Sequence, residues 1–187
     1  KKFNIKLIPC PCDIGSLRFI LKKKFEIIKI HGTDLTNVPF LNLISKKKVK
    51  VILETQLATE RDINLALSII GRDKVICLMH GYSNYPTEGK ELNLNSLDFM
   101  KSNWKLPIGF ADHSLETSTI PAMALAKGIS WIEKHITTSR NERNYDWQTS
   151  LDPEDFSIFV QNLKKYSKTL GINFKHPTKE EYLMRTN

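Results

Sequence analysis

The sequence predicts an α/β fold with a parallel sheet, represented by six strand–helix units of a (β/α)8 barrel. Short apolar runs recur roughly every 20–30 residues with helical segments between them, the rhythm of parallel strands and their crossovers. Polar groups follow those runs directly: His31, Glu54, His80, His113, then Glu133 with His135. Barrel enzymes build their sites at these strand ends. No Gly-x-Gly-x-x-Gly follows a strand, which counts against a dinucleotide-binding, doubly wound sheet. Six units cannot close a barrel of eight, so two strands are expected upstream.

In chain order, strands are expected at residues 6–9, 26–30, 50–53, 75–79, 108–110 and 131–132. Each is short, apolar and bounded by polar turns, as strands buried on both faces are. Helices are expected at 16–24, 38–47, 60–70, 94–101 and 116–127, with a longer one at 153–170. Asp152 before Pro153 is a good N-cap, and Gly171 closes that last helix. Residues 1–171 are read as the partial barrel and 172–187 as a tail leading out of it. The chain opens mid-pattern without an initiator Met, which suggests a piece of a longer protein.

The 187 residues, 41% hydrophobic and 26% charged, suit one soluble domain. No apolar run approaches the roughly 18–20 residues that span a bilayer, and no secretory signal opens the chain. Much of the net charge of +8 sits in Lys22-Lys23-Lys24, Lys46-Lys47-Lys48 and Lys164-Lys165. These runs fall near expected helix C-termini, where the helix dipole favours lysine. Nucleic-acid binding needs a basic face with groove-entering or aromatic elements, and no such motif is present. Cys10, Cys12 and Cys77 form neither a disulfide framework nor a paired zinc pattern, so a reducing cytoplasm is expected. Cys10 and Cys12 are expected to point the same way, with Cys77 in the core.

Two stretches carry the densest chemistry, Gly109-Phe-Ala-Asp-His-Ser114 and Trp131-Ile-Glu-Lys-His-Ile-Thr137. Each is a short strand running into acidic and imidazole groups, and the helix between them brings both clusters to one face. His113 and His135 are placed to share a metal, with Asp112 or Glu133 nearby. Lys134, on the opposite strand face, is expected to pack outward or pair with an acid. His31 and His80 are expected to line the pocket as hydrogen-bonding groups, and Trp104 and Trp131 to fill core or interface.

Six ordered pieces add specificity: Lys29-Ile30 with Gly32-Thr-Asp-Leu-Thr-Asn37; Val51-Ile-Leu-Glu-Thr55 with Ala58-Thr59; His80 with Ser83-Asn-Tyr-Pro-Thr87; Gly109-Phe-Ala-Asp-His113; Glu133-Lys-His135; and Asp146 with Ser150-Leu-Asp-Pro153. In this order and spacing they resemble the sialic acid synthase family, meaning N-acetylneuraminate synthase and its legionaminate and pseudaminate relatives. The resemblance runs from about Leu7 to Leu170. It implies that the chain supplies strands three to eight of the barrel, with the first two strands before Lys1. It also implies an antifreeze-like domain after Asn187 and a homodimer when full length.

The activity so implied is a condensation. Phosphoenolpyruvate attacks the open-chain aldehyde of an N-acetylated hexosamine, water adds, and phosphate leaves to give a nine-carbon 2-keto sugar acid. The resemblance implies a divalent metal, manganese or magnesium, on His113 and His135, polarising the aldehyde oxygen. It implies that Glu133 stabilises a developing cation or handles a proton. Lys29 would pair with the phosphoenolpyruvate phosphate or carboxylate, and Asp146, Tyr85, Ser83 and Asp34 would bind substrate.

Departures from the family pattern are local. Gly32, Glu54 and Ala111 stand where serine is usual, and Cys10 where threonine is common. A carboxylate at Glu54 beside a phosphate is repulsive. Two alternatives stay open at this point: an aldolase-type barrel with Lys29 or Lys134 as a Schiff-base lysine, and a non-catalytic sugar-binding relative.

Overall fold

Runs of Ile, Val and Leu build five parallel strands in the computed structural model, which describes residues 5–185. Residues 1–4 and 186–187, at the outer ends of the two expected segments, lie outside the described residues. The strands are β1 (Ile27–Ile30), β2 (Lys50–Glu54), β3 (Val75–His80), β4 (Ile108–Asp112) and β5 (Trp131–Lys134). The helices are α1 (Ile14–Lys22), α2 (Val38–Ser45), α3 (Glu60–Ile70), α4 (Ser96–Trp104), α5 (Thr119–Ala126), α6 (Pro153–Leu170) and α7 (Lys179–Arg185).

Local chemistry sets the helix starts. Asp13 with Ser16 and Thr59 with Asp62 form capping boxes for α1 and α3, and Asp152 accepts from the Asp155 amide at the start of α6. The bounds of α3 and α6 match the expected ones. Helix α7 lies within the segment expected to be only a tail.

The strand order is β1-β2-β3-β4-β5, every pair parallel. Each crossover therefore steps the same way, and right-handed crossovers then place all connecting helices on one face. A doubly wound sheet reverses direction at a switch point; this one does not. The arrangement is a half-barrel arc. Its outer face meets the helices in the main core, which includes Ile28, Ile30, Val51, Leu53, Leu78 and Phe110. The inner face carries a second layer of Ile52, Cys77, Met79 and Ala111, with Ile27 and Trp131 packed against it. Gly109 belongs to this layer: a Cβ there would lie 2.2 Å from Met79 Sδ and 2.9 Å from Trp131 Cβ.

The first of the six expected strands, at residues 6–9, does not form among the described residues. Pro9 and Pro11 have no amide hydrogen to give to a ladder. This segment is tied to the sheet through the Pro9 carbonyl, which accepts from the Lys29 amide at 2.9 Å. At the other edge, Leu151 forms a parallel bridge with Ile136, through Leu151 N to His135 O and Thr137 N to Leu151 O, each 2.9 Å. Strands β2 to β5 also run further than expected at their C-terminal ends. Glu54, His80, Asp112, Glu133 and Lys134 all lie within the ladder.

Candidate active site

Strand parity sorts the polar strand ends into two groups. Lys29, Glu54, Glu133 and the residues two beyond a strand's inner position face inward; His80, Asp112 and Lys134 face the helices.

On the inner face, Lys29 Nζ donates to Glu133 Oε1 at 2.7 Å and to Glu54 Oε1 at 3.1 Å. Burial alone would lower the ammonium's pKa, but the charges of Glu133 and then Glu54 outweigh it and hold it above its ordinary value. Glu54 is 2% exposed. Its Oε1 also lies 3.5 Å from Gln56 Nε2, while its Oε2 is buried without a hydrogen-bond partner among the described residues. Gln56 in turn accepts from the Ser83 hydroxyl at 2.9 Å. His31 Nε2 stands 3.7 Å from Glu54 Oε2, and His31 Nδ1 lies 3.0 Å from the Thr33 hydroxyl. Half-buried Cys10 feels the charges of Lys29, Glu54 and Glu133, and burial pushes its thiol up to about 11. Burial likewise pushes Cys77 to about 12. Neither is a thiolate at neutral pH, so neither is an activated nucleophile.

A second group gathers at the ends of β4 and β5. The His113 and His135 rings are 5.0 Å apart between centroids, with the Tyr85 ring 4.5 and 5.6 Å from them. His113 Nδ1 lies 2.6 Å from the Tyr82 carbonyl. A carbonyl only accepts, so Nδ1 carries the proton and Nε2 presents its lone pair. His135 Nδ1 is 3.5 Å from Asp146 Oδ2. Burial first, and then the neighbouring His113, hold the His135 imidazole below its ordinary value against the pull of Asp146. Burial, then Asp146, raises the Tyr85 phenol.

No cluster of three or more His, Cys, Asp or Glu side chains suited to a metal occurs among the described residues. His113 and His135 are the residues of this group that could hold one. Each has one ring nitrogen facing an oxygen partner and an Nε2 with no hydrogen bond among the described residues, the outer support that metal-bound imidazoles use.

Two expectations for this site, at Asp112 and at His80, are corrected. Asp112 does not stand beside His113 and His135 as a candidate ligand. Its Oδ1 accepts from the Ser114 amide at 2.9 Å and hydroxyl at 2.7 Å, and its Oδ2 from Lys134 Nζ at 3.1 Å. Neither the Asp112 nor the Lys134 side chain is exposed at all. His80 faces the helix layer rather than the pocket, stacking with Phe110 while Nε2 meets the Leu92 carbonyl at 3.0 Å. Asp34, expected to bind substrate, accepts from Asn37 Nδ2 at 3.0 Å in the short 3₁₀ turn Gly32–Asp34, with no bond to the Lys29 group among the described residues.

Gln56 is the site residue that reading the sequence missed. Its signal was parity: residues 52, 54 and 56 share the inner face. Gly32 has a steric cause. A Cβ there would lie 2.0 Å from the Gln56 carbonyl oxygen, so the loop after β2 occupies the space a serine would need.

Residues 1–175 match the NeuB family. The chain belongs to this family. Among NeuB relatives, the N,N'-diacetyllegionaminic acid synthase of Campylobacter jejuni is 31% identical over 97% of this chain and 55% of its own length. The human N-acetylneuraminate-9-phosphate synthase is 23% identical over 90% of this chain and 46% of its own length. The chain spans about half the length of the curated relatives it matches. The crystal structure of a sialic acid synthetase from Leptospira borgpetersenii superposes with a TM-score of 0.89 at 31% identity, covering 99% of this chain and 65% of that one. The DAHP synthase of Thermotoga maritima, at 21% identity and a TM-score of 0.75 over 91% of this chain and 53% of that one, shares the fold.

Proposed function

We propose that this NeuB chain belongs to a cytoplasmic, homodimeric enzyme that condenses phosphoenolpyruvate with an N-acetylated hexosamine. The product is a nine-carbon 2-keto sugar acid, and phosphate is released. In this reading the chain contributes strands three to eight of a (β/α)8 barrel, with the segment at residues 6–9 in the place of the third. The observation that carries it is the convergence of Glu133, His113, His135, Tyr85 and Asp146 at the C-terminal ends of β4 and β5 in a chain of this family.

The roles follow from position. Asp146 and Tyr85 border the two histidines and suit the hydroxyls of a sugar. Glu133 is fixed through Oε1 by Lys29. Its other oxygen is left to stabilise positive charge as the new carbon–carbon bond forms, or to take a proton from the water that adds. Nε2 of His113 and Nε2 of His135 would hold a manganese or magnesium ion. Such an ion supplies Lewis acidity toward the aldehyde oxygen.

The aldolase alternative has less to support it. A Schiff base needs a neutral amine, and the carboxylates around Lys29 favour its charged form. Lys134 is buried against Asp112 on the helix side. The test is phosphate release from phosphoenolpyruvate with manganese and a panel of N-acetylated hexosamines. Release dependent on one sugar supports the reading, while sugar binding without release under all donor conditions assigns the chain to a non-catalytic relative. Manganese binding, read by electron paramagnetic resonance, should be lost in His113→Ala and in His135→Ala. Equal binding in both variants rejects the metal assignment.

A further inference from the structure

We propose that Glu54 is a specificity-determining residue that closes Lys29 to phosphate. The inference rests on the inner face being the ligand site. Lys29 is the cation at its centre, and a lone lysine there would attract any anion. It is not alone: Glu133 and Glu54 both contact its ammonium, at 2.7 and 3.1 Å. One positive and two negative charges give this group a net charge of −1. Lys29 already spends two donors on these carboxylates, so an arriving phosphate must displace one of them or sit beside both.

Glu54 is the decisive partner. It is the most buried member of the group, with 2% of its side chain exposed against 18% for Lys29 and 34% for Glu133. It is held through Oε1, by Lys29 and, more loosely, by Gln56 at 3.5 Å. Its Oε2 has no hydrogen-bond partner among the described residues, and His31 Nε2 at 3.7 Å is too far to supply one. A phosphate oxygen arriving at Lys29 therefore comes close to a second carboxylate of its own sign, in a buried setting where charges are poorly screened. The phosphate of a donor substrate is then held away from Lys29, and the Lys29 group is left for a neutral or cationic part of the ligand.

The experiment is a calorimetric titration with inorganic phosphate alone, so it needs no turnover. The unmodified chain should show no Lys29-dependent binding. Glu54→Gln, nearly isosteric, should bind phosphate at least tenfold more tightly, a difference of about 1.4 kcal/mol. The gain should vanish in Glu54→Gln with Lys29→Met and be absent in Glu60→Gln, at the exposed start of α3. Equal phosphate affinity with and without Glu54→Gln overturns the proposal. If Glu54→Gln does not fold, the unmodified chain decides against Lys29→Met: affinity that drops overturns it, and affinity that does not change supports it. Failure here is separable from failure of the condensation reading. A chain that releases phosphate in a sugar-dependent way yet binds it through Lys29 overturns only the Glu54 inference. An inert chain that gains phosphate affinity on Glu54→Gln overturns only the condensation.

Discussion

Glu133 and Lys134 are neighbours on β5, yet they belong to two lysine–carboxylate sites on opposite faces of the sheet. The outer site is saturated: Lys134 reaches Asp112 at 3.1 Å and the Ser114 carbonyl at 2.6 Å, and both Asp112 oxygens are engaged. The inner site is more open and incompletely bonded, with Lys29 and Glu133 partly exposed and one Glu54 oxygen unmet. The two ammonium groups titrate in opposite directions. Burial lowers Lys134 more than its one carboxylate lifts it, whereas two carboxylates more than offset burial at Lys29. Ion pairs of the same kind thus differ in completeness: the outer one is closed and fully bonded, and the inner one keeps an unmet oxygen and two partly exposed members.

The sharpest way to break this contrast is to mutate adjacent residues on the same strand. Lys134→Met leaves Asp112 buried without its cation and should cost about 3–5 kcal/mol of stability in a urea melt. Glu133→Gln leaves Lys29 still paired with Glu54, so its stability cost should stay within about 1 kcal/mol. Sugar-dependent turnover in that variant should fall by roughly 10²–10⁴-fold. If both variants unfold alike, the division between a structural and a functional face is wrong. A smaller effect probes how tightly the inner side is built. Gly32→Ser drives a Cβ against the Gln56 carbonyl and should cost about 1–3 kcal/mol in the same melt; a neutral result would mean that the loop after β2 yields.

The smallest effect concerns one histidine from each face. Burial holds both His80 and His135 below the ordinary imidazole value of 6.5, with His113 adding to the shift at His135. The unfolded chain then binds protons more readily than the folded one. The stability contributed by the neutral rings is full above about pH 6.5 and is lost as pH falls through the depressed values. Thermal midpoints should therefore decline on acidification from about pH 7.5, and less steeply in His80→Asn. A slope unchanged by that substitution would remove His80 from the account.

Much of the fold was legible because each unit carries its own signal: an apolar run, a helix and, at α6, the Asp152–Pro153 start with Gly171 after it. The failures have physical causes. Residues 6–9 are apolar enough for a strand, but the prolines at 9 and 11 deny the chain ladder donors. His80 and Asp112 read as site candidates because a strand end, taken from sequence alone, has no face. Parity supplies one: Met79 and Ala111 point inward, so their successors point out, and His113 points in again. The contacts of Gln56 with Ser83 and of His113 with the Tyr82 carbonyl depend on loop paths, which neither periodicity nor composition encodes.

The bridge between Ile136 and Leu151 fastens both ends of the loop that carries Asp146. Within it, Asp146 adopts a left-handed backbone conformation (φ 55°), and its carbonyl accepts from the Thr149 amide and the Ser150 hydroxyl. Because closing a loop costs little more as it lengthens, residues inserted between the two fastened ends leave the sheet and His135 undisturbed while moving the Asp146 carboxylate. The architecture thereby separates inheritance of the scaffold from variation in the loop fastened to it, giving evolution a place to reposition one carboxylate without rebuilding the sheet.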